Sequence, residues 1–547
     1  MSTEERREGF VLSDQDTLEA RLSQPFWPVE RKPLALIILA VLVAATLRSV
    51  RLMSLFPVLV DEAIYLRWAE IIQHRHVWYI SLLDAKPPLI YWLYAALRYI
   101  FPHDPLFGNR LVSVIAGTLC TVVLYRIAFL CAGYRAGLIT AFLYAALPFG
   151  VLYDRIAYVD SVVNLCGACL IYVSLRSFGG QTLSWRNSLT TALVLGVSLF
   201  IKTTILLFAL SPLVIGIYLY RRGLRSLAPH LAVIYAVAAL FPLWSKLAVP
   251  PGPTFSVSNT LLHHTDFFTP PEILLHHPLM NLSINAPLFA GYTAAYIGYP
   301  ALVATLAAIT ALLIFHRYLP IVIFLTCSVP LWGATVFLEY FPSRYVFPVA
   351  WPLLLLIGCA ASIPFRRPAL HYAIYAATAV VFVGMIVKNI HILHAPELAL
   401  QERDADEFLG PGPYSGSGVL EAIKLLRTEA QSGPITILTD PWWGPPTDTV
   451  FAYLNEVNGT RVYEAWWLQL DGKYPLVPAG KMPVWRSQYE RIADSDVDFS
   501  QLPRLYYVTD TNYYTPQDIH SSSPAARLIR RFPKTGGQDF IDVYRLN

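Results

Sequence analysis

The feature that most restricts this chain is its recurring apolar runs, too long and too frequent for the core of a water-soluble protein. Eleven lie at about 34–53, 109–130, 137–153, 161–178, 188–201, 203–220, 229–249, 297–315, 319–338, 345–363 and 370–390. A membrane-spanning helix needs about 20 mainly apolar residues, so the pattern predicts a polytopic α-helical membrane protein with about eleven transmembrane helices. The fifth run is short, and Lys202 breaks it from the sixth. Composition agrees, with 55% hydrophobic and 14% charged residues and a mean hydropathy of +0.47, where a soluble domain carries about 25% charged residues. A soluble enzyme, a disordered scaffold and a nucleic-acid-binding protein are excluded.

Charge divides the chain. The net charge is +4, yet residues 395–547 hold 14 Lys/Arg against 20 Asp/Glu. A basic, apolar body therefore carries an acidic tail the size of one domain. The expected divisions are an N-terminal tail at 1–33, a transmembrane domain at 34–394 and a soluble α/β domain at 395–547. The start has no apolar core of a cleavable signal peptide. Five alternate loops carry Arg126 and Arg135; Arg176 and Arg186; Arg221, Arg222 and Arg225; Arg317; and Arg366 and Arg367, with no acid. The positive-inside rule makes them cytoplasmic. That puts the N-terminus in the cytoplasm and, with eleven spans, the acidic domain outside. The outer loops hold the acids Asp61, Glu62, Glu70, Asp84, Asp154, Asp160, Asp266, Glu272 and Glu339, with Lys86, Lys202 and Arg344 among them.

Within the first outer loop, Asp61–His74 places Ile64, Trp68, Ile71 and Ile72 at helical spacing. Leu89–Phe101 is apolar and aromatic but too short to span. Both are expected to lie as interfacial helices in the membrane surface. The fourth outer loop carries His263-His264 and His276-His277, a spacing that fits no standard zinc site. Cys166 and Cys169 have C-x-x-C spacing inside an apolar run, where cysteine behaves as a small hydrophobe. In the tail, Val419–Ala430 reads as a helix, and Pro434–Leu438, Leu505–Thr509 and Phe540–Arg545 read as strands. Pro441–Pro446 is a rigid aromatic loop. Asn281 and Asn458 begin glycosylation triplets, which also arise by chance.

The candidate chemistry lies in Asp61-Glu62-Ala63-Ile64-Tyr65 and Asp84-Ala85-Lys86-Pro87-Pro88. A carboxylate at a helix start is favoured by the helix dipole, and Asp is also a common N-cap. A fixed cation beside it near a membrane surface suits a lipid phosphate and an activated nucleophile.

Five stretches resemble the GT-C membrane glycosyltransferases related to protein O-mannosyltransferases and the lipid A aminoarabinose transferase. They are Leu47-Arg48-Ser49-Val50-Arg51-Leu52, Asp61-Glu62-x-x-Tyr65, Lys86-Pro87-Pro88-Leu89-Ile90-Tyr91-Trp92, Asp154 to Asp160, and Ser343-Arg344-Tyr345-Val346-Phe347-Pro348. Phe200-Ile201-Lys202-Thr203 is a weaker likeness that lacks the family's Gly-Pro. The resemblance covers roughly residues 34–365. It implies a GT-C fold and inverting transfer of a sugar from a polyprenyl phosphate, outside the plasma (inner) membrane, to a hydroxyl of a glycan, lipid or protein. It further implies Asp61 as general base, with Glu62 in support and Asp160 as a second site acid. Lys86 and Arg344 are then expected on the leaving phosphate, with Arg48, Arg51 and Lys202 as further candidates, and Tyr65 and Tyr345 as orienting residues. Divalent-metal use varies across the family, and with no carboxylate cluster beyond Asp61, Glu62 and Asp160 a metal is possible here but not favoured. A transporter would place ionisable groups at mid-membrane and show repeats. A non-catalytic cell-surface scaffold would bind through the tail.

Overall fold

A computed structural model of the chain describes residues 18–27, 31–180, 182–220, 224–248, 268–365, 368–465, 484–485, 502 and 504–546. The expectations on residues 1–17, Arg221, Arg222, His263-His264, Asp266, Arg366 and Arg367 lie outside the described residues.

Each of the eleven apolar runs coincides with helix, but the count of eleven spans is not reached by length. Six helices are long and apolar enough to cross a membrane: Arg31–Ser49, Pro105–Ala132, Asp160–Phe178, Leu224–Ser245, Leu319–Phe337 and Pro368–His394. A seventh span results if Met280–Tyr296 and Tyr299–Ile314, bent by 103°, count as one. Trp185–Ile201, Thr203–Leu219 and Phe347–Ala361 are shorter apolar helices. The run at 137–153 is split into Tyr134–Ala145 and Pro148–Tyr153, because Pro148 has no N–H to continue the first helix. Lys202 ends its helix in an extended conformation, as its position between two apolar runs suggested.

The tail forms a sheet. Its strands are numbered with a two-stranded ladder that ties it to the first outer loop: β1 Val58–Leu59, β2 Ser415–Gly416, β3 Thr436–Thr439, β4 Arg461–Ala465, β5 Val484–Trp485, β6 Leu505–Asp510, β7 Arg527–Pro533 and β8 Phe540–Arg545. The order in the six-stranded sheet is β5-β4-β3-β6-β8-β7. β4, β3 and β6 are parallel, and β5, β8 and β7 are antiparallel additions. β1 pairs with β2, Val58 opposite Gly416, so the segment before Asp61 is stitched to the tail.

The helix expected at Asp61–His74 runs from Val60 to Arg75 and is covered by protein on two faces. One face, with Ile64, Tyr65, Trp68 and Ile72, packs on Ile90, Tyr91 and Tyr94 of Leu89–Ile100. The other face, Ala63 and Leu66, joins Val419, Ile423 and Phe451 of the tail, and the Arg67 guanidinium lies 4.0 Å from the Phe451 ring. Leu89–Ile100 keeps an amphipathic face, with Leu93, Tyr99 and Ile100 exposed.

Candidate active site

Asp61 occupies the second turn-forming position of its helix, not the cap. Leu59 is the cap residue, and its N–H is taken by Glu62 Oε2 at 3.1 Å. The Asp61 carboxylate is left to face cations. Arg344 Nη1 donates to Asp61 Oδ2 at 2.6 Å, and Lys86 Nζ lies 3.7 Å from Oδ1. Lys86 also pairs with Asp84 at 2.8 Å and sits over the rings of Tyr65 and Trp68. Beside them Lys202 donates to Asp160 Oδ1 at 2.8 Å. Arg344 stands over the rings of Tyr158 and Tyr345. Three carboxylates and three cations thus alternate in one cluster.

Burial acts to raise the Asp61 carboxyl, but the charges of Lys86 and Arg344 outweigh it and hold the group well below the usual carboxylate range. Burial acts to lower Lys86, and Asp61 with Asp84 overcomes it, so its ammonium is raised. Lys202 goes the other way: burial lowers it by more than Asp160 restores. It is the least firmly charged of the three cations.

The cluster is open to solvent, whereas neighbouring ion pairs are sealed. Side-chain exposure is 16% for Asp61, 19% for Arg344 and 23% for Lys86. Two polar atoms in it are buried with no hydrogen-bond partner among the described residues, Asp160 Oδ2 and Arg344 Nε.

The remaining expected residues divide. Glu62 is fully buried and accepts from Arg110 Nε (2.8 Å), Arg110 Nη2 (2.7 Å), Leu59 N and Ala157 N (2.8 Å). It fastens the loop and has no free lone pair for a substrate, so Glu62, grouped with Asp61 and Asp160 as a candidate site acid, holds a structural position instead. Arg48 is also sealed, paired with Asp154 at 2.7 Å and bonded to the Ala145 and Tyr144 carbonyls. It closes the end of the interrupted helix and is not a phosphate ligand. Arg51 donates to the Leu393 carbonyl, away from the cluster. Tyr65 is 2% exposed beneath Lys86, and Tyr345 flanks Arg344. Asn281 is buried and donates to Thr269 and the Val336 carbonyl, so it is no accessible glycosylation acceptor.

Sequence reasoning missed Arg110 and the support behind Arg344. Ser343 Oγ donates to Asp404 Oδ1 at 2.6 Å and meets Tyr153 OH at 2.6 Å, while Tyr296 OH donates to the other Asp404 oxygen. Burial pushes the Asp404 carboxyl up to about 6 despite those two donors. Tyr158, inside the Asp154–Asp160 stretch, carried a readable signal as the ring before the second acid. Asp404 carried none, because its partners are remote in sequence. Among the described residues no three His, Cys, Asp or Glu side chains gather as a metal site.

Residues 85–245 match the family model described as dolichyl-phosphate-mannose-protein mannosyltransferase. The chain is similar to ArnT from Cupriavidus metallidurans, solved bound to undecaprenyl phosphate, at 13% identity and a TM-score of 0.55, covering 93% of this chain and 97% of that one. The apo structure of the same protein gives 14% and 0.56 over the same shares. The Archaeoglobus fulgidus oligosaccharyltransferase, in complex with Zn and sulfate, gives 12% and 0.50 over 92% and 72%. No curated protein sequence matches the chain significantly. The fold is that of the GT-C membrane glycosyltransferases. The resemblance carried by the Lys86-Pro87-Pro88 and Asp61-Glu62 motifs is borne out at that level, with Lys86 and Lys202 inside the matched stretch and Asp61 and Arg344 outside it.

Proposed function

We propose that this chain is an integral membrane glycosyltransferase that takes a sugar from a polyprenyl phosphate and joins it to an acceptor hydroxyl. The observation that carries the reading is one carboxylate, Asp61, held by two partly exposed cations, Arg344 and Lys86, at the end of the helical bundle that the tail covers. In this reading the donor phosphate draws Arg344 and Lys86 away from Asp61. Asp61 then takes the acceptor O–H proton while the oxygen forms a bond to the anomeric carbon from the side opposite the phosphate. The carbon–oxygen bond to the phosphate breaks, and its electron pair leaves on the phosphate, which the two cations neutralise. Lys202 and Asp160 flank the sugar, with Tyr65 fixing the height of Lys86 through its ring.

We take residues 1–33 as cytoplasmic, 34–394 as the catalytic body and 395–547 as an extracytoplasmic domain of a plasma (inner) membrane protein. The test of the function is transfer from an undecaprenyl-phosphate sugar by the purified protein in lipid nanodiscs. Arg344→Lys should weaken donor binding with the fold intact, because a point charge does not replace a planar fork on phosphate. Wild-type donor affinity in both Arg344→Lys and Lys86→Ala would remove the clamp from the mechanism.

A further inference from the structure

Asp61 and Arg344 stand 283 positions apart in the chain, and one short stretch of the tail, residues 401–416, touches the support of each. On the Arg344 side the contact is the helix Glu402–Leu409. Arg344 sits in a turn of three residues, Ser343–Tyr345, that has no side-chain cap. Buried Ser343 pins that turn. Tyr153 OH donates to Ser343 Oγ at 2.6 Å, and Ser343 Oγ donates on to buried Asp404 Oδ1 at 2.6 Å. The second Asp404 oxygen accepts from Tyr296 OH, which itself accepts from the Gln401 N–H at 3.1 Å. One turn further, the Phe408 ring meets those of Tyr153 and Tyr158, each at 6.2 Å between centroids. Tyr158 is the ring over which Arg344 stands.

On the Asp61 side the same stretch makes three contacts. Phe408 meets the ring of Phe56, shortly before Asp61, at 5.9 Å. The Val60 N–H donates to the Tyr414 carbonyl at 3.1 Å. β2 then pairs with β1, Ser415 opposite Leu59 and Gly416 opposite Val58. The approach is tight: a Cβ on Gly416 would lie 2.5 Å from Val58 Cγ1 and 2.6 Å from the Val58 carbonyl oxygen. Glycine is the residue that lets a backbone come this close.

We propose that residues 401–416 form a clasp that sets the spacing between Asp61 and Arg344, with Asp404 as its positioning residue. The inference rests on the transferase reading above and gives the tail a part in it: the tail holds the phosphate-binding cation in register with the base. In the resting site the ion pair with Asp61 itself helps to hold Arg344. Once a phosphate takes Arg344, that tie is gone, and the seat of the turn keeps the guanidinium in place. An arginine side chain is long and rotamer-rich, so its head is placed only as well as its backbone. A misplacement of about 1 Å at a reacting centre can cost about 100-fold in rate. Hydroxyl bonds to a buried carboxylate suit this task, because shifting the turn would leave that carboxylate short of donors.

The test uses the full chain in nanodiscs and pairs undecaprenyl phosphate binding with a probe of the turn. Asp404→Ala and Ser343→Ala should each weaken lipid binding about tenfold, about 1.4 kcal/mol, in protein shown to be folded by its thermal melt. Asp404→Asn keeps an acceptor for Ser343 and should restore most of the affinity. In the Arg344→Ala background, Asp404→Ala should cost nothing further, because effects that run through one side chain do not add. A full further loss would make Asp404 a general support of the fold and overturn the proposal. Wild-type lipid affinity in both alanine variants would overturn it too. The probe of the turn needs no lipid. A cationic thiol reagent modifies Arg344→Cys, with the signal of the native cysteines subtracted by using the parent protein. Its rate should change several-fold when Asp404→Ala is added, and an unchanged rate overturns the proposal. If Arg344→Ala binds the lipid as the wild type does while the thiol rate still responds to Asp404→Ala, the phosphate role of Arg344 is refuted and the clasp stands.

Discussion

Asp61→Asn should bind the donor lipid more tightly than the wild-type protein while turning it over far more slowly. Asp61, Asp84 and Asp160 balance Lys86, Lys202 and Arg344 before any substrate arrives. An incoming phosphate must compete with Asp61 for Arg344 and Lys86. Two unit charges about 4 Å apart interact by about 4 kcal/mol at an effective dielectric of 20. Water reaches this cluster, with Asp61 16% and Arg344 19% exposed, so a gain of about 1–2 kcal/mol is expected, or about 5- to 30-fold in Kd. Asn keeps the side-chain shape but cannot accept the proton, and general-base catalysis contributes about 10²–10⁴-fold. The assay pairs undecaprenyl phosphate binding with single-turnover transfer on the same preparation, at matched thermal midpoints. A variant that binds the lipid no better and transfers at nearly the wild-type rate would show that Asp61 is neither the competitor nor the base. The search for the base would then move to Asp160, whose Oδ2 has no partner among the described residues.

Glu62→Gln should lower the thermal midpoint sharply and spare donor affinity in the protein that remains folded, since breaking one side of a buried ion pair costs about 3–5 kcal/mol; an undestabilised variant would remove its fastening role. Asp404→Asn should flatten the pH dependence of stability between about pH 4 and 7. The folded carboxyl lies at about 6 against an ordinary 3.8, so its contribution is fully present below the ordinary value and is lost as pH rises through 6. That difference of about two units corresponds to at most about 3 kcal/mol, and thermal midpoints of the two proteins that run parallel with pH would refute it. A C-terminal reporter active only in the cytoplasm should stay silent, and a signal would mean that the span count is wrong by an odd number.

Much of this was legible in the sequence where the signal was local. Apolar length marked the helices, the break at Lys202 came from one charge between two apolar runs, and β8 follows its β-branched and aromatic residues from Phe540 to Arg545. The Lys86-Pro87-Pro88 turn and the Asp61-Glu62 pair drew notice through residue type. The rest depended on contacts between distant segments. Arg48 and Arg344 are alike in sequence, each an arginine at the edge of an apolar run. Arg48 faces Asp154 and two backbone carbonyls in a sealed pocket, while Arg344 faces Asp61 near solvent. The tail's cover over Val60–Arg75 was hidden for a related reason. Its Ile64, Trp68 and Ile72 stripe was read correctly as apolar, but Ala63 and Leu66 gave no hint that a domain more than 350 residues later would cover the opposite face.

The adjacent acids Asp61 and Glu62 take opposite roles because an α-helix turns about 100° per residue. Glu62 is turned into the bundle, where it meets the fixed Arg110 fork and two backbone N–H groups. Those four donors occupy both of its oxygens, so Glu62 is committed to the fold. Asp61 is turned toward Lys86 and Arg344, both side chains with a fifth or so of their surface in solvent. Those partners can swing to a phosphate without unfolding anything. Of the two carboxylates, only Asp61 can therefore change its charge environment when a donor binds. In the proposed mechanism its proton affinity would rise when the cations leave it for the phosphate, which would couple arrival of the leaving group to activation of the acceptor.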